Sequence, residues 1–300
     1  MQMIKIGSLC TGYGGLDMAV EAYFDAEMVW CAEIDKFASQ LIKQRFDKPN
    51  HGDIKTIQWD QVEPIDVLTA GYPCQPFSHA GYRKGTDDER HLWPYIKEAI
   101  SSLRPGIVVL ENVRGHLSLG FDQVLADLTE IGYDASWEIV RASDVGAPHQ
   151  RARLFIIAYP INCRCTQRNA IGSKSTFTES TNDGHASNTD SNAREESRRA
   201  FICVPGTCEG LRDGQDKGQA RHEYRFSRSM DRQTVPDTLD QERLNTKFVE
   251  YMMGLPEGWV TDLDLTRAQM LKMLGNGVVP QQAYHALEIL MRHAERDPHA

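Results

Sequence analysis

No apolar run in this sequence approaches the ~18 residues that a membrane-spanning helix needs, so a helical membrane protein is not expected. Nor is a secretory leader, because Met1-Gln2-Met3-Ile4-Lys5-Ile6 runs straight into a strand pattern. Cysteine is sparse and odd in number: Cys10, Cys31, Cys74, Cys163, Cys165, Cys203 and Cys208. Such a set does not suggest a disulfide framework, and reduced thiols in a soluble cytoplasmic protein are the natural reading. An excess of positive charge is also missing. The formal net charge of -9 speaks against a chain that merely coats nucleic acid. No internal repeat of fixed period is visible. What is present, 41% hydrophobic and 25% charged residues in 300, fits one large globular domain, alone or with a smaller appendage.

Three zones follow one another. Residues 1–160 alternate apolar runs with helical patterns. Strands are expected near 3–9, 27–34, 66–72, 106–112, 135–141 and 153–159, and helices near 14–25, 35–46, 90–103 and 120–132. That alternation implies crossover units and a mostly parallel sheet with helices on both faces. Residues 161–245 are polar and loop-rich, as in Thr178-Glu179-Ser180-Thr181-Asn182-Asp183-Gly184. Residues 161–240 hold 12 Lys+Arg against 12 Asp+Glu, so the other residues carry the whole negative charge. Ten of those cations are arginines, suited to phosphate or guanine, although a solvated polar insert fits the charge equally well. Residues 246–300 regain order, with a helix near 248–253 and an amphipathic helix over 281–293 that complete the first domain.

Several motifs stand at predicted strand ends. Pro73-Cys74-Gln75-Pro76 closes the run Ile65–Tyr72, which places a thiol where open α/β sheets put their active sites. An inert buried cysteine is the alternative. Gly12-Tyr13-Gly14-Gly15 forms a strand-to-helix turn that lets a ligand approach the backbone, though it is not the full dinucleotide fingerprint. Glu33 ends the second strand, and Asp53 is expected to close a third, short strand. A glycine turn with two strand-end acids favours an adenosine-containing cofactor. Glu111-Asn112-Val113 follows four apolar residues, so the Glu111 carboxyl is expected to be desolvated and proton-carrying. Arg151 and Arg153 are two apart, and on an extended segment they would share one face. Gly275-Asn276-Gly277-Val278-Val279-Pro280 reads as a tight turn before the last helix.

In this order, Gly12-x-Gly14-Gly15, Glu33, Asp53, Pro73-Cys74-Gln75, Glu111-Asn112-Val113, Gln150-Arg151-x-Arg153 and Gly275–Pro280 resemble the motif series of the DNA (cytosine-5)-methyltransferases. Leu244–Trp259 and Leu271–Leu287 resemble its bacterial and phage branch. The likeness covers residues 1–160 and about 245–295. It implies a Rossmann-like S-adenosylmethionine-binding catalytic domain over 1–160 and 246–300, and a target-recognition region over 161–245. Cys74 would attack C6 of a cytosine flipped out of double-stranded DNA, and Glu111 would bond N3 and the exocyclic amine. Asn112 would hold the Pro73-Cys74 loop and Glu111 in place, Arg153 would reach the base carbonyl, and Arg151 would support the same site or the flanking phosphate. Ser78–Arg90 would close over the flipped base.

The implied cofactor contacts are Cys10, Gly12, Gly14, Gly15, Glu33, Ile34, Asp53, Ile54, Pro73, Leu92, Asn276 and Val278. Cys10 stands where the family usually has phenylalanine, and Ile34 where a larger aromatic is common. Tyr13, Ile54, Pro73 and Leu92 could supply compensating apolar surface. Cys163-x-Cys165 and Cys203-x4-Cys208 do not have standard zinc spacing, so no metal is expected. The resemblance also implies a monomer that could be paired with a restriction endonuclease. A related tRNA methyltransferase is a competing reading, but the Cys-Phe-Thr motif of those proteins is absent. A silent DNA-binding protein is a second competitor. Retention of Cys74, Glu111 and the arginine pair argues against it.

Overall fold

The computed structural model describes residues 3–73, 92–161, 236–240 and 243–296. Cys74, the segment Ser78–Arg90, the four cysteines of the polar zone and its ten arginines lie outside the described residues.

The described residues form one six-stranded sheet and one small two-stranded ribbon. The sheet strands are β1 (Ile4–Leu9), β2 (Ala26–Ala32), β3 (Val67–Gly71), β4 (Ile107–Val113), β5 (Tyr133–Val140) and β6 (Arg153–Pro160). They lie in the order β2-β1-β3-β4-β6-β5. All are parallel except β6, which is antiparallel to both neighbours. Strand β4 is buried on both sides, which is why its core reads as an unbroken Ile107-Val108-Val109-Leu110 rather than an alternation. The mixed, mostly parallel Rossmann-like sheet agrees with the expectation from sequence.

Helices α1 (Gly15–Phe24), α2 (Lys36–Arg45), α3 (Trp93–Leu103) and α4 (Phe121–Glu130) follow their strands, and α5 (Thr246–Met252), α6 (Arg267–Asn276) and α7 (Pro280–Arg296) end the chain. One face of the sheet packs Ile6, Met28, Val67, Val109, Phe155 and Ile157 against α1 and the stripe Ala283, Ala286, Leu287, Leu290 and Met291 of α7. The opposite face packs Leu68, Val108, Leu110 and Ile156 against Trp93, Ile96 and Ile100 of α3 and Val124 and Leu128 of α4. A third cluster joins Leu41 of α2 to Leu255, Trp259, Val260 and Met273. The end of the chain therefore docks on the first domain.

Two expectations need correction. No strand forms near Asp53. Asn50 makes a single parallel bridge to Cys31, and Asp53 caps a short 3-10 turn over Ile54–Thr56 by accepting from the Lys55 amide at 3.0 Å. The expected turn over Gly275–Pro280 is shorter than that. Gly275 and Asn276 are the last residues of α6, a helix the apolar pattern did not suggest. Its start is nevertheless encoded by a capping box, in which Thr266 accepts from the Gln269 amide and the Gln269 side chain accepts from the Thr266 amide.

Candidate active site

Strands β1, β2, β3 and β4 point their carboxyl ends at one edge of the sheet. The strand order reverses between β1 and β3, and a crevice opens outside the strand ends at such a switch point. Here it is a cleft of about 460 Å³, lined by the ends of these strands, the start of β6 and residues of α6.

The glycine turn forms its rim. Gly14 is the N-cap of α1 at φ 82°, and a Cβ there would meet the Phe46 ring at 2.4 Å, so only glycine fits. The turn is tied to β2 by Glu33, whose Oε2 accepts from the Gly12 amide and whose Oε1 accepts from the Asp35 amide, both at 2.8 Å. Burial raises the Glu33 carboxyl above its ordinary range, with those amides opposing. Cys10 lines the cleft with its backbone at φ 53°, and burial pushes its thiol up to about 12, so it stays protonated near neutral pH.

Below the rim lies a buried polar group that sequence reading missed. The Ser8 and Thr11 hydroxyls are 2.8 Å apart. The Asp17 carboxylate accepts from the hydroxyls of Thr69 and Ser8. All four residues line the cleft floor. Burial raises the Asp17 carboxyl to about 6, and the hydroxyl donors only partly offset this.

At the β3–β4 end, Gly71 pairs with Glu111. In the antiparallel ladder Glu111 opposes Phe155 and Val113 opposes Arg153, so Glu111 and Arg153 are diagonal neighbours on one face. Arg153 Nε donates to Glu111 Oε1 at 3.0 Å. Burial pushes Glu111 up and Arg153 down, each away from its charged form, while their attraction opposes both shifts. Oε2 of Glu111 faces Gly71, where an added Cβ would lie 3.7 Å away. Asn112 donates through Nδ2 to the Tyr72 carbonyl at 3.3 Å, one residue before Pro73. The Tyr72 hydroxyl bonds His116 Nε2 at 2.9 Å.

The C-terminal segment closes the other wall with Lys272, Met273, Asn276 and Val278. Tyr13 is fully buried beneath it and supplies no cleft surface. A Cβ on Gly277 would sit 1.9 Å from the Tyr13 ring, so this crossing needs glycine.

Of the residues expected at the site, the cleft brings together Cys10, Gly12, Gly15, Glu33, Pro73, Glu111, Asn112, Arg153, Asn276 and Val278. Gly14, Ile34, Asp53, Ile54, Leu92 and Arg151 do not line it. Ile34 is 73% exposed, while Ile54 and Leu92 belong to the α3-side core. Arg151 does not share a face with Arg153. Its backbone is at φ 31° rather than extended, and its Nη2 donates to the carbonyls of Gly275 and Gly277. It therefore brackets the C-terminal segment.

The sheet order and strand-end cleft define a Rossmann-like α/β protein with a ligand-sized crevice at its switch point. Residues 4–192 match the model of the C-5 cytosine-specific DNA methylase family, and the chain belongs to that family. It is 35% identical over 165 residues to the type II methyltransferase M.Bsp6I of Bacillus sp. (strain RFL6), covering 52% of each chain. It is also 35% identical over 169 residues to M.NlaX of Neisseria lactamica, again covering 52% of each. The chain thus spans about half the length of the curated relatives it matches. Among solved structures, Entamoeba histolytica EhMeth superposes with a TM-score of 0.62 at 16% identity, covering 98% of this chain and 99% of that one. Schizosaccharomyces pombe Dnmt2 does so at 0.59 and 18%, covering 96% and 99%. At such identity the likeness is one of fold. The family uses S-adenosylmethionine as methyl donor. Among the described residues no helix is long and apolar enough to cross a membrane.

Proposed function

We propose that the chain transfers a methyl group from S-adenosylmethionine to C5 of a cytosine in double-stranded DNA. The observation that carries this reading is the buried Glu111–Arg153 pair, open to the cleft and one strand from Pro73. Cytosine C5 is a weak nucleophile. A thiolate adding at C6, with a proton placed on N3, turns C5 into the nucleophilic end of an enamine.

Cys74 follows Pro73 directly in sequence and is the thiolate in this reading. Glu111 holds the proton at N3, a task suited to a carboxyl that burial has raised. Arg153 fixes one of its oxygens and leaves the other, on the Gly71 side, for the base. Asn112 holds the backbone at Tyr72, so the loop entering Cys74 starts from a fixed point. S-adenosylmethionine, when bound, supplies the electrophilic methyl group. The C5 proton then leaves to solvent, its electron pair re-forms the C5–C6 double bond as the Cys74 sulfur departs as thiolate, and N3 returns its proton to Glu111, which restores the aromatic ring.

The cleft suits an adenosine-bearing ligand. A Cβ on Gly12 would meet nothing within 4 Å, so the turn leaves room for close approach. Glu33 stands at the β2 end, and its carboxylate oxygens have lone pairs left for ribose hydroxyls. Leu9, Phe37, Met273 and Val278 offer apolar walls. The base must leave the duplex to reach the strand ends, and residues 161–245 would select the sequence around it. The protein would act as a monomer in the cytoplasm, alongside a cognate endonuclease.

Trapping tests this directly. Duplex DNA containing 5-fluorocytosine, incubated with the protein and S-adenosylmethionine, should yield a covalent adduct that Cys74→Ser abolishes. An adduct that survives Cys74→Ser would overturn the nucleophile. Methylation of tRNA but not of DNA would overturn the substrate.

A further inference from the structure

Asp17 lies in the first turn of α1 and is 1% exposed, yet it forms part of the cleft floor. Its carboxylate is solvated by hydroxyls of two different strands, Ser8 on β1 and Thr69 on β3, and by the amino end of its helix. Those groups are dipoles, and they leave a full negative charge uncancelled in a desolvated place. Among the described residues no cationic side chain pairs with it. The basic residues around the cleft are engaged elsewhere: Arg153 with Glu111, Lys272 with Asp35 at 3.6 Å, and Arg151 with the carbonyls of Gly275 and Gly277. Glu33 differs, because backbone amides hold both of its oxygens. A buried carboxylate at the floor of a cleft, without its own cation, points to a cationic ligand.

We propose that Asp17, set in the buried Ser8–Asp17–Thr69 cluster beneath the β1–β3 switch point, is the counter-charge for the positively charged end of S-adenosylmethionine. This rests on the reading that the cleft binds that cofactor. The donor carries two positive groups, the sulfonium that bears the methyl and the α-ammonium. At a desolvated cleft floor, one fixed negative charge nearby favours the charged ligand more than it would in solution. The neutral thioether left after transfer lacks the sulfonium, so a counter-charge acting there would also favour exchange of product for fresh donor.

Calorimetric titration of the full chain and of Asp17→Asn with three ligands separates the possibilities. S-adenosylmethionine carries both cations, S-adenosylhomocysteine only the ammonium, and 5′-methylthioadenosine neither. Asp17→Asn should weaken S-adenosylmethionine by about tenfold or more, as expected for loss of an interaction with a charged group, while 5′-methylthioadenosine changes less than about twofold. A loss confined to S-adenosylmethionine assigns the sulfonium. An equal loss for S-adenosylhomocysteine assigns the ammonium. Equal weakening of all three ligands, or of none, would overturn the proposal. If the unaltered chain bound none of them, the cofactor reading itself would fall and take this proposal with it. Should Asp17→Asn not fold, Thr69→Val removes one hydroxyl that stabilises the ionised carboxylate. It should then give the same selective loss at a smaller size, and a uniform loss would count against the idea.

Discussion

The Tyr13 hydroxyl donates to the Val278 carbonyl at 2.7 Å, joining residues 265 apart in sequence on the two sides of the cleft. The Trp259 indole in turn donates to the Tyr13 carbonyl at 3.0 Å. The glycine turn after β1 and the segment entering α7 are therefore one packed unit. Tyr13→Phe should leave a buried carbonyl unpaired and cost about 1–3 kcal/mol, read as a lower urea midpoint at unchanged slope. Gly277→Ala should cost more, since its Cβ would meet the Tyr13 ring at 1.9 Å. If Gly277→Ala unfolded at the same midpoint as the parent, this packing would be misassigned.

Glu111→Gln separates chemistry from binding. The amide oxygen can still accept from Arg153, so the local geometry survives, but the group can no longer deliver a proton to N3. Methyl transfer should slow by about 10²- to 10⁴-fold, the usual contribution of a positioned acid. The dissociation constant for S-adenosylmethionine should stay within about threefold. A variant that kept its full methylation rate would remove Glu111 from the proton path.

Much of the fold was legible because parallel strands buried on both faces leave unbroken apolar runs, as at Ile107–Leu110. Helices between them show a stripe, as in α7. What failed was local. Arg151 and Arg153 invite a shared face only if the backbone is extended, and φ 31° at Arg151 breaks that assumption. Asp53 resembles a strand-end acid, but the chain there turns after one bridge to Cys31. Helix α6 has few buried positions, Met273 and Leu274, so its apolar period was faint while Thr266-x-x-Gln269 still announced its start. Asp17 gave no warning. An acid in a first helical turn is commonplace, and its burial arises only when α1 docks across β1 and β3.

Glu250 organises the return of the chain. Its buried carboxylate accepts from the amides of Gly258, Val260 and Thr261 and from the Thr261 hydroxyl, at 2.6 to 3.0 Å. Those amides belong to a turn whose burial leaves them no water to bond. Glu250→Ala should therefore destabilise the protein by about 3 kcal/mol or more, since several donors lose a charged partner at once. Glu250→Gln should recover part of this. Thermal unfolding of the two variants checks the order, and equal loss in both would show that packing, not hydrogen bonding, holds the turn.

Two desolvated carboxyls, the buried Asp17 and the half-buried Glu21, contribute large shifts to the pH dependence of stability. Burial raises Asp17 from 3.8 to about 6 and Glu21 from 4.5 to about 7. A carboxyl raised in the fold ionises first in the unfolded chain. Its cost is thus absent at low pH, grows as pH climbs from the unfolded toward the folded value, and is complete above the latter. Asp17→Asn cannot ionise and escapes its share. The stability difference between Asp17→Asn and the parent should shift in favour of the variant from about pH 4 to pH 7, then level off. Groups remote from Asp17 cancel in that difference, while Glu21, which the Asp17 charge helps to raise, adds to it in the same direction. Chemical denaturation of both proteins at several pH values measures it, and a difference that stayed flat across the window would mean that Asp17 ionises in the fold as readily as in water.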